Sequence, residues 1–355
     1  MEIARIMTGL AWVHFLQGRF EQALQACGAS LDYAQSSGAL SELATAENLL
    51  GGVYYRQSDL GQAMHHTRRA MVLREQMGYT WGVAATLSNL GILAVAAGDW
   101  NKARSFFERS LALRQDLGDV EGVAIVHNNL GMLARDQGDL DRAEFHFSES
   151  LAVAKPFQIG YHISNSSTGL AQVLLLKGEF EAAQEALDQS LAQAQAIGAK
   201  DIRSEICCVQ ARILLARSAF DQARAIAEES ASLAAETGNR SQESAAWQVI
   251  SEVELQRGNP RVAWEALLKA QRIVADASDD LETGRLAAQR GRILLHEGRL
   301  SPAEVELRTA RMIFMRLGAA MDLQRVDEAQ KRASVPQPQN HGALSGVKTR
   351  VGQGP

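Results

Sequence analysis

NNLGMLARDQGDLDRAEFHFSESL, residues 128–151, nearly restates SNLGILAVAAGDWNKARSFFERSL at residues 88–111. Both carry Leu-Gly, then Gly-Asp, then a lone Ala, a Phe and a Ser-Leu, in the same order and spacing. Stepping by forty residues from Ala143 gives Ala23, Ala63, Ala103, Ala183, Ala223, Ala263 and Ala303, alanine every time. Seven residues later stand Ser30, Ala70, Ser110, Ser150, Ser190, Ser230, Ala270 and Ala310, all small. Ten residues before each alanine the chain is apolar: Val13, Val53, Leu93, Leu133, Val173, Ile213, Val253 and Ile293. Five before it lies Gly or Ser, at 18, 58, 98, 138, 178, 218, 258 and 298. No insertion disturbs the register over eight copies. A fixed period of this length is the signature of a repeat array.

Each copy converts into two helices. The Gly or Ser ends the first, where a left-handed backbone is wanted. A polar residue follows it in most copies, and Asp59, Asp99 and Asp139 are placed to cap the second helix. A further Gly closes the second helix at 38, 78, 118, 198, 238 and 318. The pattern predicts helix A over roughly positions 3–17 of each copy and helix B over roughly 20–36. Ala143 and Ser150, seven apart on one face, permit close approach between neighbouring helices. Before residue 336 the only prolines are Pro156, Pro260 and Pro302, as long helices require.

At these residues the chain resembles the tetratricopeptide-repeat family, whose pattern is W-x2-L-G-x2-Y followed by A-x3-F. The pattern is met piecemeal: Leu50-Gly51 with Tyr54, Ala103 with Phe107, Ala143 with Phe147, and Trp247 followed by Ile250. The period is forty rather than the usual ~34, and the family's late proline is missing. This long variant is similar to the arrays of maltose-activator-type bacterial regulators, to arrays trailing bacterial regulatory ATPases and kinases, and to eukaryotic arrays that bind polarity and motor partners. The resemblance covers residues 1–320. It implies an all-α, right-handed α-solenoid of eight helix-turn-helix repeats, and residues 321–333 take the place of a ninth helix A as a capping helix. The array is thus expected over residues 1–333. Residues 334–355 hold no acid and no aromatic residue but three prolines and four glycines, and read as a disordered tail. The chain starts inside a helix A with Ile3 and Ile6 uncovered. Either the array starts raw, or the chain is the C-terminal part of a longer regulator.

The composition narrows the function. A net charge of −5 argues against direct nucleic-acid contact. Cys27, Cys207 and Cys208 form no disulfide framework, which points to a reducing compartment. No signal peptide and no long apolar run is present, so a cytoplasmic protein without membrane contact is expected. The chain shows no phosphate loop, no HExxH, no nucleophile elbow and no Rossmann glycines. His65-His66 and Cys207-Cys208 are consecutive, so on a helix each pair points in different directions. An enzyme is not expected, nor is a cofactor or a metal.

Family resemblance places the concave groove on helix A, at positions 5, 8, 12, 15 and 16 of each copy. These carry Arg5, Arg56, Arg135, Arg212, Arg285 and Arg292, against Asp136, Glu205 and Glu252. Arginine forks suit carboxylates and phosphates, though ordinary solvated arginines fit the pattern equally well. Asn48 and Asn128 fall on the groove, with Asn89 and Asn129 one residue further round. In peptide-binding members, asparagines near this point grip peptide backbone, and a paired donor and acceptor suits an extended chain. The rival reading is a structural amide at a helix end or turn. The family's carboxylate clamp of Lys and Asn is absent. The pattern breaks at 155–172, KPFQIGYHISNSSTGLAQ, where Pro156 cuts helix B, the closing Gly is lost at 158, and Asn165, Ser166, Ser167, Thr168 and Gln172 make a polar helix A. The break marks a site or a bend, with the bend preferred. Trp12, Phe15 and Tyr55 offer apolar anchors at the N-terminal mouth. The expectation is a non-enzymatic interaction adaptor in regulation or signalling, holding an acidic protein or peptide segment in the groove. The alternative is a sensing domain of a transcription activator, separated from its ATPase and DNA-binding parts.

Overall fold

The computed structural model describes residues 2–275 and 280–334. The expected tail beyond residue 334 lies outside them. Among the described residues there are seventeen α-helices and no strand. The first hairpin is α1 (Glu2–Leu16) with α2 (Phe20–Ser37), and the second is α3 (Leu40–Arg56) with α4 (Leu60–Gln76). Next come α5 (Thr80–Ala96) with α6 (Trp100–Asp116), and α7 (Val120–Gln137) with α8 (Leu140–Ala154). The second half pairs α9 (Gly160–Lys177) with α10 (Phe180–Ile197), and α11 (Lys200–Ala216) with α12 (Phe220–Thr237). The series continues with α13 (Arg240–Gln256), α14 (Pro260–Ile273), α15 (Asp280–His296) and α16 (Leu300–Leu317), and ends in α17 (Ala320–Ser334). Each helix packs on its neighbours in sequence, and successive A helices also touch, which makes the stack an all-α solenoid.

The periodic positions have clear physical roles. All eight turn residues adopt the left-handed region, including Ser58 and Ser218. Asp59, Asp99 and Asp139 accept hydrogen bonds from the backbone N–H three residues on. The eight alanines and the eight small residues are all fully buried. Where the small residue is serine it does more than permit approach. Ser30, Ser110, Ser150, Ser190 and Ser230 each donate to a carbonyl of the partner helix A in the same hairpin, at Ala4, Ala84, Ala124, Ser164 and Ser204. Helix A starts about three residues before its expected position, because the left-handed residue at 38, 78 or 118 turns the chain at once. The break at 155–158 keeps the register: Lys155–Phe157 forms a short 3-10 turn, and Gln158 supplies the left-handed residue.

On α1, Ile3, Ile6 and Val13 are exposed, whereas Ala46 and Val53, which match Ile6 and Val13 on α3, are fully buried against α2 and its neighbours. Trp12 stacks on Phe15, Phe15 meets Phe20 at a tilt, and Arg56 lies over the Phe20 ring.

The array also closes on itself. One apolar cluster unites Trp100, Phe107, Leu130 and Leu133 from the third and fourth hairpins with Leu307, Phe314, Leu317 and Val326 near the other end. Helix α17 touches α7. A Cβ on Gly98 would lie 2.8 Å from Leu317 Cδ2, and one on Gly138 would lie 3.1 Å from Ala320 Cβ. The concave groove is thereby turned into a lumen walled by α7, α9, α11, α13, α15 and α17.

A histidine pair makes the fourth hairpin sensitive to acid. His127 and His146 place their Nδ1 atoms 3.1 Å apart. Burial, with His127, Arg142 and Arg104 adding repulsion against Asp139, lowers His146 from its ordinary 6.5 to about 4. Burial likewise lowers His127, against Glu149. Between pH 6.5 and 4 the unfolded chain therefore holds more protons, and the stability present above pH 6.5 is lost as pH falls. The melting temperature is expected to drop from pH 7 to pH 5, with a shallower slope in His146→Gln. An equal fall of the melting temperature in wild type and His146→Gln would remove the histidine pair as the cause.

Candidate functional site

Between α7, α9 and α11 lies a cavity of ≈ 250 Å³, with Asn128, Met132, Arg135, Tyr161, Asn165 and Glu205 in its wall. Arg135 reaches Asp136 at 3.0 Å and donates to Gln172 Oε1. Gln172 Nε2 donates in turn to Glu205 Oε1 at 2.9 Å. Burial pushes the Glu205 carboxyl above its ordinary value against Arg135 and the Gln172 hydrogen bond, and Asp201 adds to the rise. Tyr161 donates to Asp201 at 3.3 Å. This part of the wall is amide-rich and acidic.

The opposite wall is cationic. Arg285 on α15 binds Asp322 of α17 at 3.0 Å and lies 3.6 Å from Asp136 of α7. Burial works against its charge, but Asp322 and Asp136 outweigh it and hold the guanidinium above its ordinary value. Arg292 binds Glu252 at 3.1 Å and the Gln289 side chain. Burial raises the Glu252 carboxyl, yet Arg292, Arg212 and Arg325 together bring it below the ordinary carboxylate value.

The structure sorts the expected site residues into three groups. Arg135, Asn165, Gln172, Arg212, Arg285 and Arg292 are half-buried on helices that wall the lumen. Asn48, Tyr55, Arg56 and Asn89 lie on α3 and α5, outside the six helices that wall the lumen. There Asn89 Nδ2 donates to Asn48 Oδ1 at 3.0 Å, and Arg56 sits over Phe20. Asn129 is half-buried beside Asn128. Thr168 is turned away from the groove in which it was expected, while Asn128 keeps a place in the cavity wall. Thr168 is fully buried, donating to the Ser164 carbonyl and bonded to Ser190 Oγ. Asn128 is buried, accepts from Ser166 and shows only an edge to the cavity. Thr8 with Ser30 and Ser88 with Ser110 face the helix B serine in the same way, whereas Asn48, Asn128 and Gln248 at position 8 bond to the next helix A. Asp322 and Arg325 of α17, and Tyr161 and Asp201 at the first position of their repeats, join the site without having been expected. Arg325 stands at position 5 of a ninth copy, so the same spacing rule reaches it once α17 is counted as a helix A.

The other candidates for chemistry stay structural. His66 Nδ1 contacts the buried Glu47 at 2.6 Å and its ring stacks on Tyr54. Cys27, Cys207 and Cys208 are buried, and burial pushes Cys27 up to about 12 and Cys207 to about 11. Among the described residues no three His, Cys, Asp or Glu side chains are grouped to hold a metal, and no helix is long and apolar enough to cross a membrane.

Comparison with known proteins agrees with this geometry. Tetratricopeptide-repeat models match residues 82–156 and, separately, residues 4–29 and 166–189. No curated protein matches the sequence. The fold is similar to the crystal structure of the apo form of RapI, at TM-score 0.65 and 14% identity, over 78% of this chain and 100% of that one. It is also similar to a Rap protein complexed with competence and sporulation factor, at TM-score 0.60 and 12% identity, over 94% and 99% of the two chains. The Rap conjugation gene regulator of plasmid pLS20, in complex with the Phr* peptide, aligns at TM-score 0.56 and 14% identity, over 91% of this chain and 75% of that one. Identities this low speak to fold alone. The repeat models match on both sides of the broken hairpin, so the chain carries tetratricopeptide repeats at those residues.

Proposed function

We propose that this chain is a regulatory interaction module that holds a short peptide, or an extended segment of a partner protein, in its lumen. The observation that carries the reading is the ≈ 250 Å³ cavity between α7, α9 and α11, whose wall offers amide, phenol and carboxylate groups rather than a reactive constellation. An extended chain presents alternating N–H and C=O groups, and Asn165 supplies both a donor and an acceptor to meet them. Two of the similar folds are Rap proteins that hold a peptide or signalling factor, which supports the same use of the solenoid here. Arg135, Gln172 and Glu205 fix one another, so this wall is ordered before a ligand arrives, and that lowers the entropy cost of binding.

The test is to offer the protein a soluble pool of random pentapeptides and identify those retained with it through gel filtration. The wild type is expected to retain a defined subset. Asn165→Trp, which fills the cavity, is expected to weaken retention by about tenfold or more, equivalent to ~1.4 kcal/mol of binding. Retention unaffected by the bulky side chain would place the peptide elsewhere and remove the lumen as its site.

A further inference from the structure

Two positions of helix A that the array closes in every later repeat stand open on α1. They are those of Ile6 and Val13, whose counterparts on every helix A from α3 to α15 are buried. Around them the exposure widens. Ile3, Ile6, Leu10, Val13 and Leu16 are 43–66% exposed, with Trp12 half exposed beside them. Forty residues on, Ala46, Leu50 and Val53 are buried where α1 and α2 pack on α3, and Leu43 is half-buried there. The same face of the same repeat is therefore shaped to be covered by a helix. Gly9 stands in the middle of it, and nothing lies within 4 Å of a Cβ placed there. Glu2 and Arg5 are the only ionised side chains on this face.

We infer that two copies of this chain pair through α1, antiparallel, about a two-fold axis that passes close to Gly9. A two-fold interface needs a face that complements itself. Ile6 precedes Gly9 by three residues and Val13 follows it by four, so turning the helix end for end lays each beside the other's counterpart. The missing side chain at Gly9 lets the two backbones approach at the axis. The six apolar side chains expose on the order of 600 Å², most of the ~800 Å² that each partner buries in a standard interface. A patch of this size on a single chain marks an interaction surface. Glu2 and Arg5 carry opposite signs, so no like-charge barrier opposes the approach. Head-to-tail stacking lacks a complement. At the far end α17 packs on α16 and α7, and among the described residues it exposes no large apolar side chain. Helix α1 is not one of the six helices that wall the lumen, so the pairing stands whether or not a peptide binds there.

Light scattering on the full chain over a dilution series tests the pairing. The wild type is expected to show about twice the 38.5 kDa of one chain, falling toward a single chain on dilution. Ile6→Glu sets a charge on each side of the pair and is expected to weaken association about a hundredfold, tenfold for each copy. Gly9→Glu places two like charges at the axis and is expected to weaken it as much. The single chain stays at least as helical in that variant, because glycine inside a helix is the poorer helix former. Val305→Glu, at a site as exposed on α16 as Ile6 is on α1, leaves association unchanged. A wild type with the mass of one chain at every concentration would overturn the pairing. So would a dimer that persists in both Ile6→Glu and Gly9→Glu. Masses that climb past two chains would overturn the two-fold axis in favour of end-to-end stacking.

Discussion

Phe147→Ala is expected to lower stability by about 3–5 kcal/mol, the range for deleting a fully buried aromatic ring. The residue is 0% exposed and clustered with Ala134, Ala143 and Val173. Its ring lies between two helices that each leave room for it. A Cβ on Gly131 of α7 would fall 2.9 Å from the ring, and one on Gly169 of α9 would fall 2.3 Å from it. The side chain therefore joins its own hairpin to the next, and in a solenoid such nearest-neighbour interfaces make up much of the stability. Loss of the ring leaves a gap that two helices cannot close without moving backbone. Urea unfolding followed by circular dichroism is expected to show the lower midpoint and a transition that separates into two, as the halves on either side uncouple. Gly169→Ala is expected to destabilise from the opposite side, by ~1–3 kcal/mol of overpacking. The two positions are in contact, so Phe147→Leu combined with Gly169→Ala should lose less than the sum of the single changes. A loss below about 1 kcal/mol for Phe147→Ala would show that the interface repacks freely, contrary to the close-packed interior assumed here.

The same contact explains how much of the fold could be read from the chain. The Leu-Gly of helix A and the A-x3-F of helix B are the two sides of one fit: Gly91 receives Phe107, Gly131 receives Phe147, and Gly291 receives Leu307. Both sides recur at a forty-residue period, so paired helices, turns and buried small residues were all legible. The groove was legible in part. Thr168 was misplaced because helix A has two polar stripes, one toward the lumen and one toward the helix B serines, and hydroxyl and amide residues serve both. Thr168 belongs to the second stripe, and its burial follows from the Ser190 hydroxyl opposite it. Arg325 escaped notice because α17 was counted as a cap, although it keeps the spacing of a helix A. Ring closure had no signal at all. It depends on the small rotation added at each hairpin, which no single repeat encodes, and it joins residues such as Gly98 and Leu317 that are five repeats apart. Asp136 and Asp322 likewise meet around Arg285 only after that rotation has accumulated.

Gly138→Leu is expected to open the ring, and Gly178→Leu is its control. Both glycines end a helix A in the left-handed region, at φ 83° and 81°. A leucine at either bears the same cost of about 1–2 kcal/mol for an L residue in that conformation. They differ in what lies beyond. Nothing is within 4 Å of a Cβ at Gly178, whereas one at Gly138 meets Ala320 Cβ and Met321 Cγ at 3.1 Å. The additional overpacking at Gly138, ~1–3 kcal/mol, falls on the junction between α7 and α17, which is held by little else than the apolar cluster around Leu317 and the Asp136–Arg285–Asp322 bridge. Small-angle scattering is expected to show a larger radius of gyration for Gly138→Leu and an unchanged one for Gly178→Leu, with both variants still helical. Opening also parts α17 from α7 and breaks the wall of the lumen, so the first variant should lose retention of peptides and the second should keep it. Identical scattering profiles for the two variants would mean that the junction yields locally without freeing the capping helix. An open Gly138→Leu that still retains such peptides would show that ring closure is not what assembles the site. Loss of both closure and retention would make the C-terminal helix part of the binding machinery, because its Asp322 holds the ring shut through Arg285.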